Sequence, residues 1–98
     1  MTEKNIGVAW YYKEQWGKLR SHSKDRVDME KKYEDWEKKA LETVAKMEAD
    51  GFTVHRVYID VDMLIAWCKK KRLPIDGYAR SEYTNHLLAS HFGMNKDI

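Results

Sequence analysis

The spacing of apolar positions changes along the chain, and each change marks an element. Ile6–Tyr12, "IGVAWYY", is an unbroken apolar and aromatic run, β-branched near its start, and reads as a short buried strand. Lys13–His22 follows with Trp16, Leu19 and Arg20 at spacings of three and four, a short helix that Gly17 weakens. Ser23–Lys32 has turn residues and little periodicity. It reads as a loop with one helical turn, and Val27 and Met29 are expected to pin it to the core.

Tyr33–Asp50 carries the clearest helical period. Tyr33, Trp36, Ala40, Val44 and Met47 form one apolar stripe, and charges of both signs cover the other faces. Glu34–Lys38 and Glu42–Lys46 stand four apart with the acid first, the favourable order for ion pairs. Gly51 supplies the left-handed residue that ends many helices. Phe52–Ile59, "FTVHRVYI", is a second strand by β-propensity. Its imperfect alternation predicts cover on both faces at its carboxyl half.

Asp60 and Asp76 each stand where a helix can begin and can cap its free N–H groups; Asp62 adds charge at the positive end of the first dipole. Val61, Leu64, Ile65 and Cys68 make the inward stripe of the first helix, with Trp67 beside it, and Pro74 is expected to stop it. In the second, Ala79, Tyr83, Leu87 and His86 are expected to face inward. Gly93 is expected to end it, and 94–98 to fray, as are residues 1–5.

The order β-α-α-β-α-α has no linker or repeat, so residues 1–98 are one α/β domain. Its minimal two-stranded sheet is expected to be parallel through a right-handed crossover and covered by about four helices. Two strands leave two open edges, and a homodimer is the expected way of closing them.

Composition narrows the function more than it names it. Ninety-eight residues suffice for one core, and 43% apolar with 35% charged residues describes a folded, soluble chain. The first residues, "MTEKNIGVAW", have no long apolar run, so neither a signal peptide nor a membrane span is expected. One cysteine excludes an internal disulfide, and the cytoplasm is the expected location. Cys68 lies on an inward stripe, where a thiol acts as a small hydrophobe.

Neither a metal nor a cofactor is expected. No histidine pair has zinc-ligand spacing, a single cysteine cannot build a thiolate cluster, and no Gly-rich loop follows either strand. The net charge is +2, and the run Lys69, Lys70, Lys71 and Arg72 alone keeps the chain from being acidic. Helix-end dipole chemistry accounts for the run. With Arg56 and Arg80 it is also the candidate nucleic-acid surface. The candidate enzyme chemistry uses His55, His86 or His91 with Asp76 or Glu82, since Glu82 and His86 stand one helical turn apart.

Ring content is the strongest functional signal. Four tryptophans, six tyrosines and two phenylalanines exceed what so short a chain can bury, so some rings should line a groove or an interface. The candidate binding residues are Trp10, Tyr11, Trp16, Arg20, Trp36, Trp67, Arg80 and Tyr83. The arginines are placed to stack on rings or to meet a carboxylate. A non-enzymatic, self-associating binding or interaction module is therefore the leading expectation.

The segments "AWYY", "YEDWE", "ADGFTV", "IDVDMLIAWC" and "IDGYARSEY", in that order from Val8 to about Leu88, resemble a widespread family of short bacterial proteins of unknown function. The resemblance implies a bacterial cytoplasmic protein. It carries over no catalytic or binding residue.

Overall fold

A computed structural model describes residues 4–92. Of the positions expected to fray, 1–5 and 94–98, residues 1–3 and 94–98 lie outside the described residues, as does the Gly93 helix stop, whereas Lys4 and Asn5 already belong to the start of the sheet. The elements follow the expected order: β1 (Asn5–Trp10), α1 (Lys13–His22), a 3-10 turn at Arg26–Asp28, α2 (Tyr33–Ala49), β2 (Thr53–Tyr58), α3 (Val61–Lys71) and α4 (Gly77–Phe92). The two strands pair in parallel, Asn5 opposite Thr53 through Trp10 opposite Tyr58.

Each strand is shorter than its apolar run. The ladder closes where the Ile59 N–H donates to the Trp10 carbonyl at 2.9 Å, and Tyr11 and Tyr12 then turn into α1. Side chains alternate about the sheet. Val8, Trp10 and Val54 pack with Ala40 and Val44 of α2, while Ala9 and Val57 join a larger core with Leu19, Ile59, Val61, Leu64, Cys68, Ala79 and Tyr83. Gly7 lets α4 pack tightly on β1: a Cβ there would lie 2.9 Å from Leu88 Cδ2 and 3.3 Å from Val57 Cγ2. β2 is thus covered on both faces, which explains its weak alternation.

Both predicted aspartate caps form. Asp60 accepts from the Met63 N–H at 3.2 Å and Asp76 from the Ala79 N–H at 3.0 Å. α2 and α3 end in one hydrogen-bond pattern. Phe52 N–H donates to Met47 O and Gly51 N–H to Glu48 O; Leu73 N–H donates to Cys68 O and Arg72 N–H to Lys69 O. The left-handed residue is Gly51 in the first (φ 96°) and Arg72 in the second (φ 60°). The expected stop at Pro74 is thus corrected: α3 ends at Lys71 on its own left-handed cap, and Pro74 only follows.

Four further expectations are corrected. Val27 is 88% exposed, and Met29 alone of the two packs against the core. His86 is exposed; Thr84 and Leu88 are buried beside Tyr83 instead, because α4 lies with its 84/88 positions over Gly7. Among the described residues neither Glu34–Lys38 nor Glu42–Lys46 closes to an ion pair; Glu34 is held by Lys13 of α1 at 2.6 Å. Such exposed pairs gain only about 0.3–0.5 kcal/mol, so a competing partner decides them. No helix among the described residues is long and apolar enough to cross a membrane.

Candidate functional site

Five rings meet where β1, α1 and α2 converge. Trp36, from the first turn of α2, touches the other four: Trp10 at 5.2 Å between centroids, Tyr11 at 5.3 Å, Trp16 at 5.2 Å and Tyr33 at 5.3 Å. Sequence explains the gathering. Trp10 and Tyr11 end the strand, Trp16 stands one turn into α1, and Tyr33 and Trp36 are three apart on α2. Two hydrogen bonds fix the cluster: Trp16 Nε1 donates to the Glu30 carbonyl at 3.1 Å, and Tyr33 Oη to the Tyr11 carbonyl at 2.8 Å. Trp10, Tyr11 and Trp16 are buried, and Trp36 keeps a half-buried flank.

Arg80 of α4 stands beside this cluster. Its Nη1 and Nη2 donate to the two Asp25 carboxylate oxygens at 3.0 and 2.7 Å, and Nη1 also donates to Ser23 Oγ at 3.2 Å. The Arg80 hydrogen bond holds the Asp25 carboxyl below the usual carboxylate range. The guanidinium is therefore already neutralised by its own chain.

Tyr11, Trp36 and Arg80 line two adjoining hollows. The larger, about 490 Å³, runs along the outer edge of β1, with Ile6, Gly7, Val8 and Ala9 as floor and Ser81, Thr84 and Asn85 on the α4 wall. The smaller, about 240 Å³, adds Trp16, Met29 and Asp28, and the Lys39–Glu30 ion pair crosses it. Tyr11 is only 5% exposed, yet its hydroxyl has no protein partner among the described residues. Burial, partly offset by the charge of Arg80, pushes its pKa up to about 12. It is thus a neutral donor at the junction of both hollows.

The other candidates lie elsewhere. Arg20 is half-buried with Nη2 donating to the Arg26 carbonyl at 3.3 Å, and its buried Nε has no acceptor among the described residues. Trp67 and Tyr83 pack together at 5.2 Å on the α3–α4 face, joined by the exposed ring of His86. Within the basic run, Arg72 is the left-handed cap of α3 and the Lys71 ammonium lies 5.7 Å from the Trp67 ring centroid. Arg56 is stacked 4.2 Å over Trp10, so it and the paired Arg80 are both engaged apart from that run.

Of the candidate acid–base groups, Asp76 caps α4, His55 Nε2 hydrogen-bonds the Asn5 side-chain oxygen at 2.9 Å, and Glu82 makes no hydrogen bond to His86. The side chain of His91 lies outside the described residues. No group of three His, Cys, Asp or Glu side chains among the described residues is placed to hold a metal.

The residues the sequence did not single out are Gly7, Ser81, Thr84 and Asn85. Small residues on the β1 floor and polar residues on one side of α4 become a cleft only through the Gly7–Leu88 approach. Compared with known protein families, with curated proteins and with solved structures, the chain finds no match.

Proposed function

We propose that the protein is a small non-enzymatic binding module whose site is the concavity shared by Tyr11, Trp36 and Arg80. The observation that carries this reading is the Tyr11 hydroxyl, on an otherwise buried ring, which opens to the junction of two hollows and has no protein partner among the described residues. A donor that no protein group uses is open to a ligand acceptor, and such a hydrogen bond gains about 0.5–1.5 kcal/mol net. The half-buried flank of Trp36 offers an apolar surface next to that donor. A pocket that is mostly apolar with a few placed polar groups has the general form of a ligand site. A lone, buried thiol suits a reducing compartment such as the cytoplasm.

A screen of small aromatic and amide fragments, followed through backbone and indole N–H resonances, tests the reading. Binding should move Gly7, Ala9, Tyr11, Ser81, Asn85 and the Trp36 indole together. Fragments that cluster instead on the Trp67–Tyr83 face would refute the site.

A further inference from the structure

We infer that the β1 cleft takes an extended, uncharged peptide segment, which adds a third strand to the sheet beside β1. The inference rests on the binding reading above and names its ligand.

Hydrogen-bond parity carries the argument. The Lys4 carbonyl accepts from Thr53 N–H at 2.7 Å and the Trp10 carbonyl from Ile59 N–H at 2.9 Å. With the parallel register, the backbone groups of Ile6, Val8 and Trp10 face β2, and those of Gly7 and Ala9 face away from it. Among the described residues nothing meets the N–H and C=O of Gly7 or Ala9 on that side. They form the floor of the 490 Å³ cleft. An open edge with walls on both sides is how sheets receive extended peptides.

The two edges differ. β1 carries no charged residue along Asn5–Trp10, whereas β2 carries Arg56, and a cation on an edge strand discourages pairing. The β1 cleft has a wall on each face, Trp36 from α2 and Arg80, Ser81, Thr84 and Asn85 from α4. The hollow beside β2 is walled by α4 alone, through Leu87 and Leu88.

The walls also select the ligand. Asp25 neutralises Arg80, so an anionic segment gains little over an uncharged one. Successive side chains of an added strand point to opposite faces. One set meets the Trp36 ring, and the other meets Ser81 and Asn85. The segment should therefore alternate apolar and uncharged polar residues, with one carbonyl placed for the Tyr11 hydroxyl. A cleft walled on both faces leaves room for one strand. A second copy would bring its own α2 and α4 against these walls.

The test uses a fluorescent, end-blocked hexapeptide alternating valine and serine, and two versions N-methylated on one or the other hydrogen-bonding edge. Binding should survive one methylation pattern and fall by about tenfold or more with the other, the change expected when edge hydrogen bonds are lost. Ala9→Pro removes an outward N–H without touching the pairing to β2, and should weaken the peptide similarly while leaving circular dichroism unchanged. Equal loss with both methylation patterns, or none with either, overturns strand addition. If fragments still bind at Tyr11 while no peptide does, the binding reading stands and this inference falls. A wild-type chain that is dimeric by light scattering and becomes monomeric as Ala9→Pro shows a second copy on the edge, and also overturns it.

Discussion

Arg80 and Asp25 form a two-pronged ion pair, at 3.0 and 2.7 Å, that fastens the loop after α1 to the first turn of α4. Their side chains are 15% and 27% exposed, so the pair is partly dry, and Ser23 Oγ completes the arginine's contacts. Removing one partner of such a pair leaves the other short of compensation. Asp25→Ala should cost about 1–3 kcal/mol, between the exposed and fully buried cases. The pH dependence has a definite sign. Arg80 holds the Asp25 carboxyl low in the folded state, so its contribution is full above the unfolded carboxylate pKa and is lost as pH falls through the lower folded value. Urea midpoints of wild type and Asp25→Ala should converge in acid and stay parallel from pH 5 to 8. A constant gap down to pH 2 would show that the pair does not form.

Tyr11→Phe separates binding from folding. The hydroxyl has no acceptor among the described residues, so its removal should leave stability unchanged or raise it slightly, while weakening any ligand that accepts from it. The same residue sets an alkaline limit. Its pKa is pushed up to about 12 from 10.0, so the stability gained by keeping it neutral is full below pH 10 and is lost as pH rises toward 12. In ultraviolet titration of the native protein one phenol should ionise last, and Tyr11→Phe should remove it. A Tyr11→Phe protein destabilised by more than ~1 kcal/mol would mean that the hydroxyl has a structural partner.

Two helix positions carry conformational cost. Arg72 holds a left-handed backbone (φ 60°), which disfavours an L side chain by about 1 kcal/mol. Gly17 lies inside α1 with nothing within 4 Å of where its Cβ would stand. Arg72→Gly and Gly17→Ala should each stabilise the protein by about 0.5–1 kcal/mol. Thermal melts would register each as a rise of several degrees in so small a domain. A lower Tm for Arg72→Gly would show that the arginine side chain makes contacts that outweigh its backbone cost.

Local grammar was readable because each signal acts over a few residues. Asp60 and Asp76 cap, Gly51 turns left-handed, and the Tyr33–Val44 spacing buries one face, all through contacts within a turn. The ring surplus pointed to a groove or an interface; Trp10, Tyr11 and Trp16 instead meet as buried rings around the half-buried Trp36. What spacing could not give was rotation and partner choice. A turn of α4 by one position exchanges His86 for Thr84 and Leu88, and only the Gly7 approach fixes it. Arg80 was expected to face a ligand; Asp25, 55 residues away in sequence, takes its donors instead. Trp67 and Tyr83 read the same as the other rings, yet they stack with each other across α3 and α4.

Cys68 offers the most direct probe of the α3–α4 framework. It is 1% exposed, between Val61 and Leu64 on the same stripe and Ala79 and Tyr83 of α4. Burial pushes its thiol above the ordinary pKa, with the Asp76 carboxylate adding to the effect. A bulky disulfide reagent at pH 8 should therefore label the native protein only through unfolding. Labelling then follows the unfolding equilibrium, and a loss of 1 kcal/mol speeds it about fivefold. Asp60→Ala and Asp76→Ala each remove one cap bond at the ends that frame this thiol, at a cost of about 1 kcal/mol. Each should accelerate labelling about fivefold, and the double variant by about the product, since distant caps act independently. Fast labelling of the wild type, at a rate indifferent to both caps, would place Cys68 on an accessible surface and undo the packing described for α3.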